Sequence, residues 1–306
     1  DVALDFPKGG TRAIVDALVR GIQKHHRLNA VTTNARVQSL FVHNNRVAGV
    51  SLNDGRKIRA KNVICNADLW STLTLAENSG NNCKTLCTYL KKQTERLKPC
   101  ASFLHLHVGI DATGLPIEPS ESMPAQWAHL EDWNLGVDAP RNLALVSVAS
   151  MLDPSLAPAG KHVIHAYVPA TESFEPWAQK FLNTPKYNSP EYRKAKDEAV
   201  QILWRAIESY IPDVRQRVEL ELSASPLTHR RWLNKYKGTY GAFLPATTGE
   251  QLMGHRTPLP GFWMCGDSTF PGIGMPAVAA SGSITANSIL SPIEHWQLLD
   301  SIQLPQ

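Results

Sequence analysis

The residues of this 306-residue chain best placed to do chemistry lie in GDSTFPGIGMPAVAASG (266–282). Gly266 and Gly272 let the backbone approach a ligand closely, and Pro276 suits the first turn of a helix, where its missing N–H is not needed. The free N–H groups and positive dipole end of such a helix start favour an anion, or a ring that gains negative charge. Asp267 is then placed to accept hydrogen bonds from sugar-like hydroxyls. The same residues also suit a tight strand-to-helix connection with an ordinary acidic cap, and residue types alone leave both readings open.

Other reactive side chains form smaller groups. His105 and His107 are two apart in an alternating segment, so they share one strand face and offer two imidazoles. No third ligand follows at a metal-site spacing, so the pair is read as polar residues on a sheet face and no metal is expected. Cys83 and Cys87 would share a helix face, a spacing equally at home in a core or its rim. Arg230, Arg231, Lys235 and Lys237, interleaved with Trp232 and Tyr236, suit lipid headgroups or anionic partners, and also a plain solvated face. There is no G-x-S-x-G nucleophile elbow, kinase signature or P-loop.

Elements must hold these groups in place. From Thr11 to His25, Ile14, Ala17, Leu18, Gly21 and Ile22 recur at helical spacing after the Gly9-Gly10 break, which predicts an amphipathic helix. VQSLFV (37–42), VAGVSL (47–52) and KIRAKNVIC (57–65) are separated by Asn44-Asn45 and Asp54-Gly55, pairs that accept the positive φ of tight hairpins. They predict an antiparallel meander running into a buried strand that ends at Asn66-Ala67-Asp68. FLHLHVGI (103–110), LALVSVAS (143–150), HVIHAYVP (162–169) and VELELSAS (218–225) predict further strands, the second and third paired with each other. EYRKAKDEAVQILWRAIESY (191–210) predicts one helix, with Ala199, Ile202, Leu203, Ala206, Ile207 and Tyr210 on one face and Pro212 as its stop. FWMCGD (262–267) predicts a short apolar strand, and MPAVAASGSITANSIL (275–290) a helix of small residues. Strand, glycine loop, helix is the order that a phosphate- or cofactor-binding turn needs.

Composition narrows the class. Hydrophobic residues make up 43% and charged residues 19%, with a net charge of +4, so the chain has the apolar material for a folded protein and length for two domains. Both charge signs are interspersed, and a nucleic-acid partner is not expected. No apolar run is long enough for a spanning helix, although contact with a membrane surface stays open. The five cysteines are scattered outside any C-x-x-C pair, which favours a reducing compartment.

The segment GFWMCGDSTFPGIGMPAVAASGSITAN (261–287) resembles the C-terminal flavin-contacting signature of the phytoene desaturase and carotenoid cis-trans isomerase family of FAD-dependent oxidoreductases. SPLTHRRWLNKYKGTYG (225–241) is similar to the family's preceding segment, and PKGGTRAIVDALVRGIQKH (7–25) with VICNADLW (63–70) to the central part of its FAD domain. FLHLHVGIDATGLP (103–116) and LAPAGKHVIHAYVPATESFEPW (156–177) resemble most the plant and algal carotenoid-isomerase-like branch. The likeness runs in order over nearly the whole chain. It implies a mixed α/β fold, with a partial FAD-binding Rossmann-like domain of the amine oxidase and glutathione reductase type and an antiparallel-sheet substrate domain. The expected boundaries are 1–70 and 241–306 for the FAD domain, and 71–240 for the substrate domain.

What the resemblance implies for the site follows the matched motifs. Gly266, Asp267, Met275, Pro276 and Ala277 become the flavin and ribityl contacts. Val37 becomes the position whose backbone reaches the adenine, with plain strand core as the alternative. Asn66 and Ala67 end a strand passing the dinucleotide, with a turn cap as the alternative for Asn66. Tyr240 in GTYG and Arg230 are the catalytic candidates. The implied substrate is a long apolar polyene, and the implied chemistry cis–trans isomerisation, with desaturation or saturation as the alternative. A non-catalytic carotenoid-binding relative, a truncated inactive flavoprotein and an amine-oxidising flavoenzyme are the readings of other classes. The implied location is the plastid, either soluble or peripheral to a membrane. One departure stands out: the family's G-x-G-x-x-G dinucleotide turn is absent from residues 1–306. With no Met at position 1, the expectation is the C-terminal part of a longer protein, whose hold on FAD is weak without that turn.

Overall fold

The computed structural model describes residues 6–25, 28–182 and 189–301. In chain order its first elements are α1 (Gly10–His25), β1 (Val37–His43), β2 (Arg46–Leu52), β3 (Lys57–Arg59), β4 (Val63–Cys65), α2 (Leu69–Glu77), α3 (Lys84–Arg96) and β5 (Lys98–Pro99). There follow β6 (Ser102–Asp111), β7 (Gln126–Leu130), β8 (Leu143–Val148), α4 (Ala149–Leu152), β9 (Lys161–Glu172), α5 (Glu175–Phe181), α6 (Pro190–Ala199), α7 (Gln201–Glu208) and α8 (Val214–Arg217). The last are β10 (Val218–Ala224), α9 (Pro226–Leu233), β11 (Ala242–Phe243), β12 (Phe262–Met264), α10 (Met275–Asn287) and α11 (Pro292–Ser301). Two compact units result, Asp1–Thr33 with Ala101–Gly238, and Asn34–Cys100 with Thr239–Gln306. Among the described residues no helix is long and apolar enough to cross a membrane.

The first unit is built on alternation. Successive side chains of a strand point to opposite faces, and β6 buries Leu104, Leu106, Val108 and Ile110 on one of them. Its antiparallel sheet has the order β10-β6-β9-β8-β7. Val146 and Val148 of β8 and Ile164, Ala166 and Val168 of β9 extend the apolar face, which packs with Ile202, Leu203, Ala206 and Ile207 of α7. The strands predicted from 103, 143, 162 and 218 are all present, and β8 pairs with β9. The strand predicted over 143–150 stops at Val148, because Ser150 turns inward to meet His162 Nδ1 at 2.9 Å.

The single helix predicted over 191–210 is two helices. α6 and α7 part at Val200 (φ −84°, ψ 8°), a fully buried β-branched residue whose place in the core overrides helical continuity. Ala199, Ile202, Leu203, Ala206 and Ile207 are buried as expected, whereas Tyr210 lies beyond α7 and is 38% exposed. The amphipathic helix α1 forms as expected. Its start is tied down where the Gly9 N–H donates to Asp153 Oδ2 at 2.6 Å, but Val15, Leu18 and Ile22 remain exposed.

In the second unit β1, β2 and β3 form the expected meander, with Leu40 opposite Val50 and Val50 opposite Ile58. The strand predicted over 57–65 is divided between two sheets. Ala60 N–H still donates to Ala48 O, whereas Val63 N–H donates to Gly261 O, so residues 60–62 carry the chain from one partner to another. β4 then pairs parallel with β12. With only that neighbour it is half-buried rather than buried, and Ile64 is 49% exposed. Leu69, Leu86, Leu90, Leu97, Phe262 and Met264 form the core of this unit.

Candidate functional site

Parallel pairing places Val63 opposite Phe262 and Cys65 opposite Met264, so β4 and β12 leave their sheet at the same edge. β4 runs through Asn66 and Ala67 into α2, and β12 through Gly266 and Asp267 into the loop before α10. The carboxyl edge of parallel strands is where open α/β sheets receive ligands. Gly266 has φ +98°, and a Cβ there would come within 2.2 Å of Asn66 Oδ1, so the two strand ends cross at contact distance.

Buried hydroxyls lock this loop. Gly266 N–H donates to Ser281 Oγ at 2.8 Å, and Thr269 Oγ1 donates to Gly266 O at 2.9 Å while lying 2.8 Å from Ser281 Oγ. Leu69 N–H donates to Ser268 Oγ at 3.1 Å, tying the loop to α2. Ser268, Thr269 and Ser281 are all buried. Ser281→Ala removes the acceptor of a buried N–H, and is expected to cost about 1–3 kcal/mol of stability, read by denaturant unfolding.

Gly274 precedes α10 as its N-cap without a side-chain cap, and a Cβ at Gly274 would meet nothing within 4 Å, so the helix start faces open space. Uncapped N–H groups and the positive helix end attract an anion or an electron-rich ring edge. Met275 and Pro276 are exposed, Ala277 and Asp267 half-buried, and Asn66 and Ala67 exposed at the same edge. These features fit a flavin, the cofactor that the resemblance implies, better than an ordinary capped connection.

Tyr240 belongs to the same unit. It is 40% exposed, in a turn held by Thr239 Oγ1, which donates to Cys100 O at 2.7 Å. The next residue, Gly241, packs on the loop, where an added Cβ would lie 3.0 Å from Asp267 Cβ. Val37 is the first residue of β1 and is 39% exposed. Arg230 lies in the other unit, on α9, with its guanidinium 5.9 Å from the Phe174 ring centroid. The structure thus gathers Asn66, Ala67, Gly266, Asp267 and the α10 start around one edge, with the turn of Tyr240 beside it. Ser268, Thr269 and Ser281 escaped sequence reading; their signal was small hydroxyl residues in an otherwise apolar loop and helix. All five cysteines are free thiols, and burial raises the pKa of each.

A second group lies on the other face of the first unit's sheet. His105 Nδ1 is 2.7 Å from His165 Nε2, and His107 stands directly opposite His165, with ring centroids 4.3 Å apart. His229 of α9 tilts over them, 4.9 Å from His105 between centroids. The third imidazole absent from the sequence reading is therefore His165, 60 residues beyond His105 and delivered by strand register rather than by spacing. The four rings, with Trp232 and Leu233, line an open pocket of about 260 Å³.

Burial, reinforced by the neighbouring imidazoles, lowers His105 from 6.5 to about 3, and burial with His107 lowers His165 to about 4. His107 and His229 shift the same way through burial. The His105 and His165 imidazoles are both held below their unfolded value, so on acidification the unfolded chain takes up protons first. Their contribution to stability is full above about pH 6.5 and is lost as pH falls toward 4 and then 3. Urea midpoints are expected to decline over that window, and less steeply in His105→Phe.

The profile of the flavin containing amine oxidoreductases matches residues 4–290. A chloroplastic prolycopene isomerase of Daucus carota is 30% identical over 298 residues, covering 95% of this chain and 45% of its own length. A lycopene-forming phytoene desaturase of Pantoea ananas is 24% identical over 302 residues, covering 94% of this chain and 56% of its own. The chain thus spans about half the length of the curated relatives it matches. Among solved structures, an oxidoreductase of Methanosarcina mazei superposes with a TM-score of 0.53 at 20% identity, over 92% of this chain and 55% of that one. The fold is therefore a mixed α/β one, shared with that structure over about half its length.

Proposed function

This chain belongs to the flavin containing amine oxidoreductases, and from that membership we propose that it supplies the flavin edge and the substrate sheet of an FAD-dependent enzyme that isomerises a carotenoid-like polyene. The observation that carries the reading is the uncapped start of α10 beside the locked Gly266 loop, at the carboxyl edge of a parallel strand pair. In this reading Gly266, Asp267, Met275, Pro276 and Ala277 hold the flavin and its ribityl chain. Asn66 and Ala67 flank the dinucleotide, and Val37 offers its backbone to the adenine. FAD held there would supply reversible electron and proton exchange, the chemistry that lowers double-bond order in a polyene and permits rotation. The α10 N–H groups favour negative charge on the facing ring edge, and Asp267 accepts from ribityl hydroxyls. A polyene has few polar handles, so the remaining work of the protein is orientation and exclusion of water.

Tyr240 and Arg230, which belong to different units, are the proposed catalytic side chains. The chloroplastic relatives support a plastid location. Exposed Trp232 and Leu233 beside Arg230 and Arg231 support peripheral contact with the membrane that dissolves such a substrate. The test is chromatography of prolycopene after incubation with the chain and reduced FAD. All-trans product with unchanged hydrogen content is expected. With oxidised FAD as electron acceptor in a parallel incubation, a more unsaturated product, the reaction type named for the Pantoea ananas relative, selects desaturation instead. No flavin-dependent product overturns the reading, and unchanged turnover in Tyr240→Phe and Arg230→Ala removes those two roles.

A further inference from the structure

We propose that His105, His107 and His165 form a binding site for a divalent transition-metal ion of the Zn²⁺ class, with a fourth position open to the pocket lined by His229 and Trp232. The inference stands apart from the flavin reading, since every residue it uses lies in the first unit.

Strand geometry brings the ligands together. His105 and His107 are two apart on β6 and share a face, while β9 lies antiparallel to β6 with His165 opposite His107. The ligand nitrogens of all three lie within 4.8 Å of one another. Zn–N bonds of about 2.0–2.1 Å in a tetrahedral site place two nitrogens roughly 3.3 Å apart. The 2.7 Å pair of His105 and His165 must therefore open by roughly half an ångström and the widest pair close by roughly 1.5 Å, within reach of side-chain rotation on a fixed sheet.

The donor chemistry selects the metal class. Three imidazoles with no carboxylate in the group suit zinc, copper, nickel or iron, and not calcium or magnesium, which require oxygen ligands. His105 and His165 are half-buried and His107 is exposed, so the group is open to an ion from solution. An independent sign is His229, whose buried Nε2 has no hydrogen-bond partner among the described residues although it lines the same pocket. A buried ring nitrogen left unpaired in this way suits a hydrogen bond with a water held on the ion's fourth position.

The test uses the untagged chain and Co²⁺ as the probe, because four-coordinate Co²⁺ gives visible ligand-field bands. One equivalent of Co²⁺ per chain is expected, displaced by one equivalent of Zn²⁺. His107→Ala and His165→Ala are each expected to lower Co²⁺ affinity by about 100-fold or more, and His229→Ala by about tenfold. His129→Ala, at an imidazole paired with Glu131, should change nothing. Saturating Zn²⁺ should also raise the unfolding midpoint of the unaltered chain, a readout that needs no variant to fold. Absence of stoichiometric uptake, uptake that survives both ligand variants, or no Zn²⁺-dependent shift in the midpoint overturns the proposal.

Discussion

Gly266→Ala is expected to unseat the loop before α10 and, on the proposed reading, to weaken FAD binding. Two costs add. Residue 266 sits at φ +98°, which L side chains rarely adopt, and holding a non-glycine residue in such a region costs of the order of 1–3 kcal/mol. The new methyl group would also lie 2.2 Å from Asn66 Oδ1, where one of the two must move. Asn66 is an exposed side chain and can swing away, so the steric cost is recoverable and the backbone cost is not. Asn66→Gly in the Gly266→Ala background is therefore expected to restore part of the lost stability, leaving about 1–3 kcal/mol unrecovered. Urea unfolding of the four chains of that cycle, with FAD titration alongside, checks it. Equal stability of Gly266→Ala and the unaltered chain would show that the loop is not held as described.

Arg141→Ala is expected to destabilise the first unit although its side chain reaches the surface. Glu172 ends β9 with its side chain 6% exposed, and Arg141 meets both its oxygens, Nε to Oε2 at 2.9 Å and Nη2 to Oε1 at 2.6 Å. Trp177 Nε1–H donates to the same carboxylate at 2.7 Å. The carboxylate in turn holds the Arg141 guanidinium's pKa above its ordinary value. Truncating the arginine leaves a buried charge with one neutral donor, a loss of 3–5 kcal/mol where both partners are buried. Arg141 is 43% exposed, so water partly compensates, and about 2–3 kcal/mol is expected. Glu172→Gln keeps an acceptor for Trp177 and removes the charge, so it should cost less than Arg141→Ala. Combining the two should cost less than their sum, which a double-mutant cycle measures.

The two substitutions test different kinds of legibility. The Gly266 loop was readable because a glycine, an acidic residue and a first-turn proline at those spacings are local steric requirements. Arg141 carried no such mark. Its partner lies 31 residues away, and its positive φ of 55° reflects the turn that aims it at Glu172. The hydroxyl lock on Gly266 was likewise hidden, since Ser281 reaches it only after α10 has folded back against the strand ends.

Local chemistry within the sequence determined the alternation that makes β6, β8, β9 and β10, the hairpin turns of the meander, and the strand, loop and helix that end the chain's matched motif. Each follows from side-chain period or backbone sterics within a few residues. Only the tertiary structure divided 57–65 between two sheets, broke 191–210 at a buried Val200, and set His165 opposite His107. Those outcomes depend on which distant strand offers hydrogen bonds and which cavity a side chain must fill. Register and packing decide them, and neither is written in the spacing of neighbouring residues.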